Sequence, residues 1–242
     1  MIEMANAILL CDWKQNKKAD VLAKVIFDYC ELGKLYDLKS LDLLGLEGEG
    51  SSSTLLLLGS LTNAAEEFVI AHEYGHIVNR HIMQNGEIQN IITDEREFDV
   101  LRKSKEQEFE ADLWAIDALI RGVTYEKRDP DLLAIACGGP IVFIGTALLI
   151  EEYQKLKGKY IDTHPRASDR IYMIEAFYEI KKINEQGYIG RRFLELIGDC
   201  AKILLGRELT IPMLSRDLNR LLEKSLKNIR IDYEKTNWMK FQ

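Results

Sequence analysis

The sequence predicts a chain of the α+β class that is mostly α, with a small edge sheet beside a helical core and a helical C-terminal part. Three observations predict this. Most of the chain places apolar residues at helical spacing, only two short apolar runs have strand length, and residues 132–150 form one long uncharged segment of the kind a core buries.

The strand-length runs are residues 7–13 and 54–58, the second bounded by Gly50 to Ser53 and by Gly59, and they are expected to pair. Between them, 18–46 is helical in part, with Val21, Val25 and Tyr29 at i+4 spacing, and then lapses into the turn material of Gly45 to Ser51. A helix is predicted from Asn63, where Glu66 completes a capping signal, to about Met83, with Asn85-Gly86 ending it. A second runs from Ser104 to Gly122 with Phe109, Leu113, Ile116 and Ile120 as its apolar stripe. Asp129-Pro130 opens a third, interrupted at Gly138-Gly139-Pro140 and resuming to about Leu156. Thr163-His164-Pro165 opens a fourth, and amphipathic helices fill 190–206 and 214–230.

Composition narrows the function. With 242 residues, 47% hydrophobic and 29% charged, the chain is neither disordered nor collagen-like. Lys+Arg 32 against Asp+Glu 39 leaves a net charge of −7, so there is no broad basic field and nucleic acid is not an expected partner. Cys11, Cys30, Cys137 and Cys200 are scattered without a CxxC and read as buried thiols of a reducing compartment. The start Met1-Ile2-Glu3-Met4 lacks a positive n-region, and Ala7 to Cys11 is too short for an apolar h-region, so a cytoplasmic location is expected. Residues 132–150 approach the roughly 20 apolar residues that span a bilayer. Gly138, Gly139, Pro140 and Gly145 within them, acids on both flanks and no Lys/Arg asymmetry favour a buried core helix over a membrane span.

The sharpest signal is His72-Glu73-Tyr74-Gly75-His76 in the middle of the first strong helix. Residues four apart differ by about 40° around a helix and about 6 Å along it, so both imidazoles leave one face and can share one zinc ion. Glu73 sits about 100° round from His72, where a carboxylate can take a proton from the attacking water. Ile70, Tyr74, Ile77 and His81 form a stripe about 150° from the two histidines, which is expected to face the core and leave the metal face toward a cleft. His81 on that stripe is expected to be a packed or surface residue. Gly75 costs roughly 1 kcal/mol relative to Ala in mid-helix, which suggests a close approach there. A merely solvated polar face is disfavoured by the apolar company of Phe68, Val69, Ile70, Ala71, Ile77 and Val78.

A catalytic zinc needs a third protein ligand. The Gly and His of an extended HExxH motif would fall at 79 and 82, which hold Asn79 and Ile82. The start of the second helix offers Glu106, Glu108 and Glu110 instead. Glu108 and Asp112 are one turn apart on one face, so Glu108 can bind the ion while Asp112 accepts the outward N–H of a ligand histidine. The helix dipole alone explains acids in a first turn, but not Asp112.

HExxH followed about thirty residues later by Glu108 to Asp112 resembles the gluzincin metallopeptidases, with a zincin-like core. Thr163-His164-Pro165 with Arg170-Ile171 is similar to a signature of the HtpX/Ste24-like peptidases and of soluble bacterial relatives, including Lit-type phage-exclusion peptidases. The motifs cover residues 72 to 171, and the paired membrane spans of the HtpX/Ste24-like group have no counterpart here. The resemblance implies that His72, His76 and Glu108 bind Zn2+, that Glu73 is the general base and acid, that Asp112 supports a ligand, and that His164 stabilises the transition state. Length and composition indicate one unit, 1–242, with the catalytic core expected at about 51–185 and segments 1–50 and 186–242 of unassigned role.

His164 has a reading of its own. Before Pro165 at a helix start, its imidazole is kept neutral by the dipole and can donate a hydrogen bond to an oxyanion. Arg170 can orient a substrate carbonyl or pair with Asp169. A membrane-spanning 132–150 would carry His164 about 30 Å from the zinc helix. The expectation is a cytosolic zinc endopeptidase acting on a protein or peptide substrate, with an extended substrate adding as a strand beside Thr54 to Leu58. The alternatives are an ImmA/IrrE-like regulatory peptidase, a zinc-stabilised binding or scaffold module, and a membrane-anchored protease.

Overall fold

The computed structural model describes residues 1–10, 14–36, 52–81, 87–92, 97–102, 105–126, 129–160 and 165–209. In chain order these form α1 (Ile2–Leu10), α2 (Gln15–Leu32), α3 (Ser52–Val78), β1 (Glu87–Ile92), β2 (Glu97–Arg102), α4 (Lys105–Glu126), α5 (Pro130–Leu156), α6 (Ala167–Lys181), a 3-10 turn (Asn184–Gly187) and α7 (Tyr188–Leu205).

α5 is the axis. Asp129 caps it by accepting from the Asp131 N–H at 2.9 Å, and Pro130 occupies the first turn, where no donor is missed. The helices α1, α2, α3, α4, α6 and α7 all pack on it. Its uncharged run lies inside: 72% of its most apolar window is buried. Among the described residues it is the one helix long and apolar enough to cross a membrane by length and composition. The interruption expected at Gly138-Gly139-Pro140 is absent, and the helix runs on through Pro140. The glycines serve packing instead. A Cβ on Gly139 would stand 2.6 Å from the Ala64 carbonyl carbon, so α5 touches the backbone of α3 there. Gly190 on α7 receives Ile141, and Gly145 receives Phe193, in the same way.

The predicted edge sheet does not form. Residues 7–10 end α1 and residues 54–58 lie in the first turns of α3. Both runs are rich in Leu and Ala and nearly free of β-branched residues, so helix propensity and burial of Leu58 and Leu61 decide the outcome. With 54–58 helical, the strand edge proposed for extended substrate is absent. α3 therefore starts eleven residues before Asn63, and the Asn63-Glu66 capping signal sits in its interior. Beside it, Thr62 Oγ1 accepts from Asn6 Nδ2 at 3.1 Å and ties α1 to α3. The two strands described lie between α3 and α4 as an antiparallel hairpin, with Glu87 opposite Arg102 and Ile92 opposite Glu97.

The apolar stripe of α4 is buried at Phe109, Leu113, Ile116 and Ile120, and it joins Phe68, Ile144, Ile171, Phe177 and Phe193 in the main core. The thiols of Cys30, Cys137 and Cys200 are free, the last two buried. Cys11, His164 and the 214–230 helix lie outside the described residues.

Candidate metal centre

The last turns of α3 cross the first turns of α4, and Gly75 sets the distance. A Cβ there would meet Ala111 Cα at 3.1 Å and Ala111 O at 3.2 Å, so the crossing is close because residue 75 has no side chain. Glu108, three residues before Ala111, and Asp112, the residue after it, are thereby pressed onto the histidines of α3.

His72 Nε2 and His76 Nε2 lie 3.1 Å apart. Glu108 closes the triangle, with Oε2 3.4 Å from His72 Nε2 and Oε1 3.6 Å from His76 Nε2. One ligand atom from each residue falls within 4.8 Å of the others, and all three residues are buried. Of the candidates Glu106, Glu108 and Glu110, Glu108 is the one whose carboxylate reaches both imidazoles.

The outward nitrogens are also engaged. His72 Nδ1 is 2.8 Å from Asp112 Oδ1. Asp112 is fully buried and takes a two-pronged contact from Arg170, Nε to Oδ2 at 2.7 Å and Nη2 to Oδ1 at 2.6 Å. Arg170 is thus engaged with Asp112. On the other ligand, His76 Nδ1 is 2.8 Å from His81 Nδ1, and His81 Nε2 is 3.0 Å from Glu110 Oε2.

His81 is packed, as expected, but it does not lie on the stripe of Ile70, Tyr74 and Ile77, and that stripe does not face the core. α3 stops at Val78, Arg80 takes a left-handed conformation at φ 57, and the chain turns His81 back beneath the helix, where its N–H bonds the His76 carbonyl at 2.9 Å. Helical spacing therefore does not apply to His81, which is 3% exposed. Ile70, Tyr74 and Ile77 are 70%, 42% and 56% exposed, so the stripe faces outward and the histidine face packs on α4. Tyr74 rests its ring 5.6 Å from that of Trp114 at the rim. Glu73 is exposed beside the buried histidines.

The donor set fits a cation. Asp112 can only accept, so His72 donates through Nδ1 and turns the lone pair of Nε2 inward. The inward lone pair of His72 and the Glu108 carboxylate converge within 3.6 Å, an arrangement that repels itself unless positive charge sits between them. The protonation of His72 reports the same demand. Burial works to lower its pKa, but hydrogen bonds from His72 to Asp112 and Glu108 outweigh that and carry it to about 9. Burial would raise Asp112, yet Arg170 and His72 bring it down to about 2. The Arg170 guanidinium is raised in turn, against its burial, by Asp112. Two nitrogens and one carboxylate suit a divalent transition metal ion.

Helical spacing does not predict the support that Glu110 gives through His81, because α3 ends at Val78 before that residue. The signal was present: three of the chain's four histidines fall within residues 72–81. A family model described as Peptidase U49 matches residues 47–189, more than half of the chain. No curated protein and no solved structure matches it.

Proposed function

The chain belongs to the peptidase U49 family, and from that premise we propose that it is a zinc-dependent endopeptidase of gluzincin type, with the ion on His72, His76 and Glu108. The observation that carries this reading is the buried donor triangle, in which His72 Nε2, His76 Nε2 and the Glu108 carboxylate converge within 3.6 Å. A mixed nitrogen and oxygen set favours zinc over magnesium or calcium, which take oxygen ligands.

When bound, zinc supplies Lewis acidity to the scissile carbonyl and to the attacking water. Glu73, next to His72 on the exposed side of α3, takes a proton from that water at its carboxylate and hands it to the leaving amine. Asp112 fixes the tautomer and ring orientation of His72, and Arg170 holds Asp112 ionised in its buried position. His164, immediately before Pro165, donates to the developing oxyanion in this scheme. The substrate is a protein or peptide chain.

Free thiols at Cys30, Cys137 and Cys200 go with a cytoplasmic setting. The packing of α1 and α2 on α3, α5 and α7 supports treating the chain as one unit around the catalytic core.

The test is Glu73→Gln. Zinc stays near one per chain by elemental analysis, while cleavage of a sensitive peptide from a library falls by roughly 10²- to 10⁴-fold. Full cleavage by the variant removes the proposed base. Zinc bound by the natural chain with no cleavage of any library member makes the protein a zinc-stabilised binding module instead.

A further inference from the structure

The two histidines of the donor triangle are held by different means. His72 leans on a carboxylate, Asp112, whose charge Arg170 offsets. His76 leans on another imidazole. Its Nδ1 lies 2.8 Å from His81 Nδ1, and the far nitrogen of His81 lies 3.0 Å from Glu110 Oε2.

Hydrogen-bonding rules assign this chain in one direction. A carboxylate accepts, so His81 Nε2 carries its proton toward Glu110. With that proton on Nε2, His81 accepts at Nδ1, so His76 donates from its own Nδ1 and the lone pair of His76 Nε2 is left facing His72 and Glu108. The opposite tautomers would aim an N–H of His76 at His72 Nε2, 3.1 Å away. The backbone is committed to the same end. Arg80 sits in a left-handed conformation that non-glycine residues seldom adopt, and this is what returns His81 to bond both the main chain and the ring of His76.

We propose that His81 and Glu110 form a relay that positions His76 for the ion, fixing its tautomer and ring plane through an imidazole where His72 uses a carboxylate. The inference rests on the metal site proposed above. It makes His81 and Glu110 positioning residues, and it explains why a third histidine lies buried five residues beyond HExxH.

The experiment is chelator competition for Zn2+, paired with the visible absorption of the Co2+ form, on the natural chain, His81→Leu, His81→Gln and Glu110→Ala. His81→Leu keeps the volume and removes both bonds. It lowers zinc affinity roughly 10- to 100-fold and shifts the Co2+ bands, with unchanged far-ultraviolet circular dichroism. His81→Gln recovers most of the affinity, because its amide oxygen accepts from His76 while its amide N–H donates to Glu110. Glu110→Ala, whose side chain is partly exposed, weakens zinc in the same direction and serves if His81→Leu does not fold. Affinity and spectrum equal to the natural chain in His81→Leu and Glu110→Ala, or a Gln variant no better than Leu, overturns the relay and leaves the zinc reading standing. A natural chain that binds neither Zn2+ nor Co2+ overturns the zinc reading and the relay together.

Discussion

Gly75 of α3 lies directly against the backbone of Ala111 in α4, where an added Cβ would come within 3.1 Å of Ala111 Cα. Alanine at 75 gains about 1 kcal/mol of helix propensity. It also forces apart two helices whose contact is backbone, with no side chain to swing aside, and overpacking of this kind costs typically 1–3 kcal/mol. Ala111 cannot yield cheaply, because Phe109 and Leu113 beside it are anchored in the core. Gly75→Ala is therefore expected to lower the melting temperature and to weaken metal binding, since Glu108 and Asp112 retreat from His72. Thermal denaturation with chelator competition checks both, and a variant that gains stability while keeping its zinc affinity contradicts the account.

Arg170 is expected to matter through Asp112. Removing the guanidinium leaves a fully buried carboxylate with His72 as its remaining charged contact, and breaking a buried pair costs about 3–5 kcal/mol. Replacing both partners removes the stranded charge. Arg170→Met should thus be strongly destabilised, and Arg170→Met combined with Asp112→Asn should lose clearly less than the sum of the two single changes. Urea denaturation of the four proteins closes the cycle. Additive losses would mean that the two residues do not act as a pair.

Much of the centre was legible because HExxH and the Glu108-Asp112 pair each repeat at one helical turn, a spacing that fixes a shared face before any tertiary structure is known. The parts that misled depend on where helices begin and end. The run 54–58 suits a strand or a helix equally in pattern, and helix propensity with burial of Leu58 and neighbouring Leu61 decides it. Helical periodicity misplaces His81, because the helix stops at Val78 and a left-handed Arg80 reverses the chain. A non-glycine residue in that conformation leaves no trace in the sequence. The outward face of Ile70, Tyr74 and Ile77 shows the same limit: an apolar stripe tells where three residues point relative to each other, and the position of α4 decides which side of the helix is inside.

The cage should trade a proton for its metal. His72 has a pKa of about 9 from its hydrogen bonds to Asp112 and Glu108, against an ordinary 6.5, so it holds a proton at pH 7 in chelator-stripped protein. Its stabilising contribution is complete below 6.5 and lost as pH rises through 9. Asp112 has the opposite sign: its pKa of about 2 lies below the ordinary 3.8, so its contribution is present above 3.8 and lost as pH falls through 2. Stripped protein is expected to melt highest between those flanks, and zinc should abolish the alkaline one. Zinc binding at pH 7 should release about one proton, read by calorimetry in buffers of different ionisation enthalpy, and affinity should rise about tenfold per pH unit up to 9. No proton release would show that His72 is already neutral.

Gly139 separates a buried α5 from a membrane-spanning one. In the fold described, a Cβ at this position would stand 2.6 Å from the Ala64 carbonyl carbon and 2.7 Å from the Ala65 nitrogen, both main-chain atoms of α3. Gly139→Ala should then cost more than Gly75→Ala, on the order of 2–3 kcal/mol, which for a chain of this size lowers the melting temperature by roughly 4–12 °C. Gly198 on α7 supplies the control, because nothing lies within 4 Å of a Cβ there and alanine should be neutral or stabilising by up to about 1 kcal/mol. A lipid-facing α5 has no such contact, so Gly139→Ala would behave like Gly198→Ala and the chain would need detergent to leave the membrane fraction. Alkaline carbonate extraction alongside the melting curves distinguishes the two, with release into the supernatant and a marked loss of stability at Gly139 expected together.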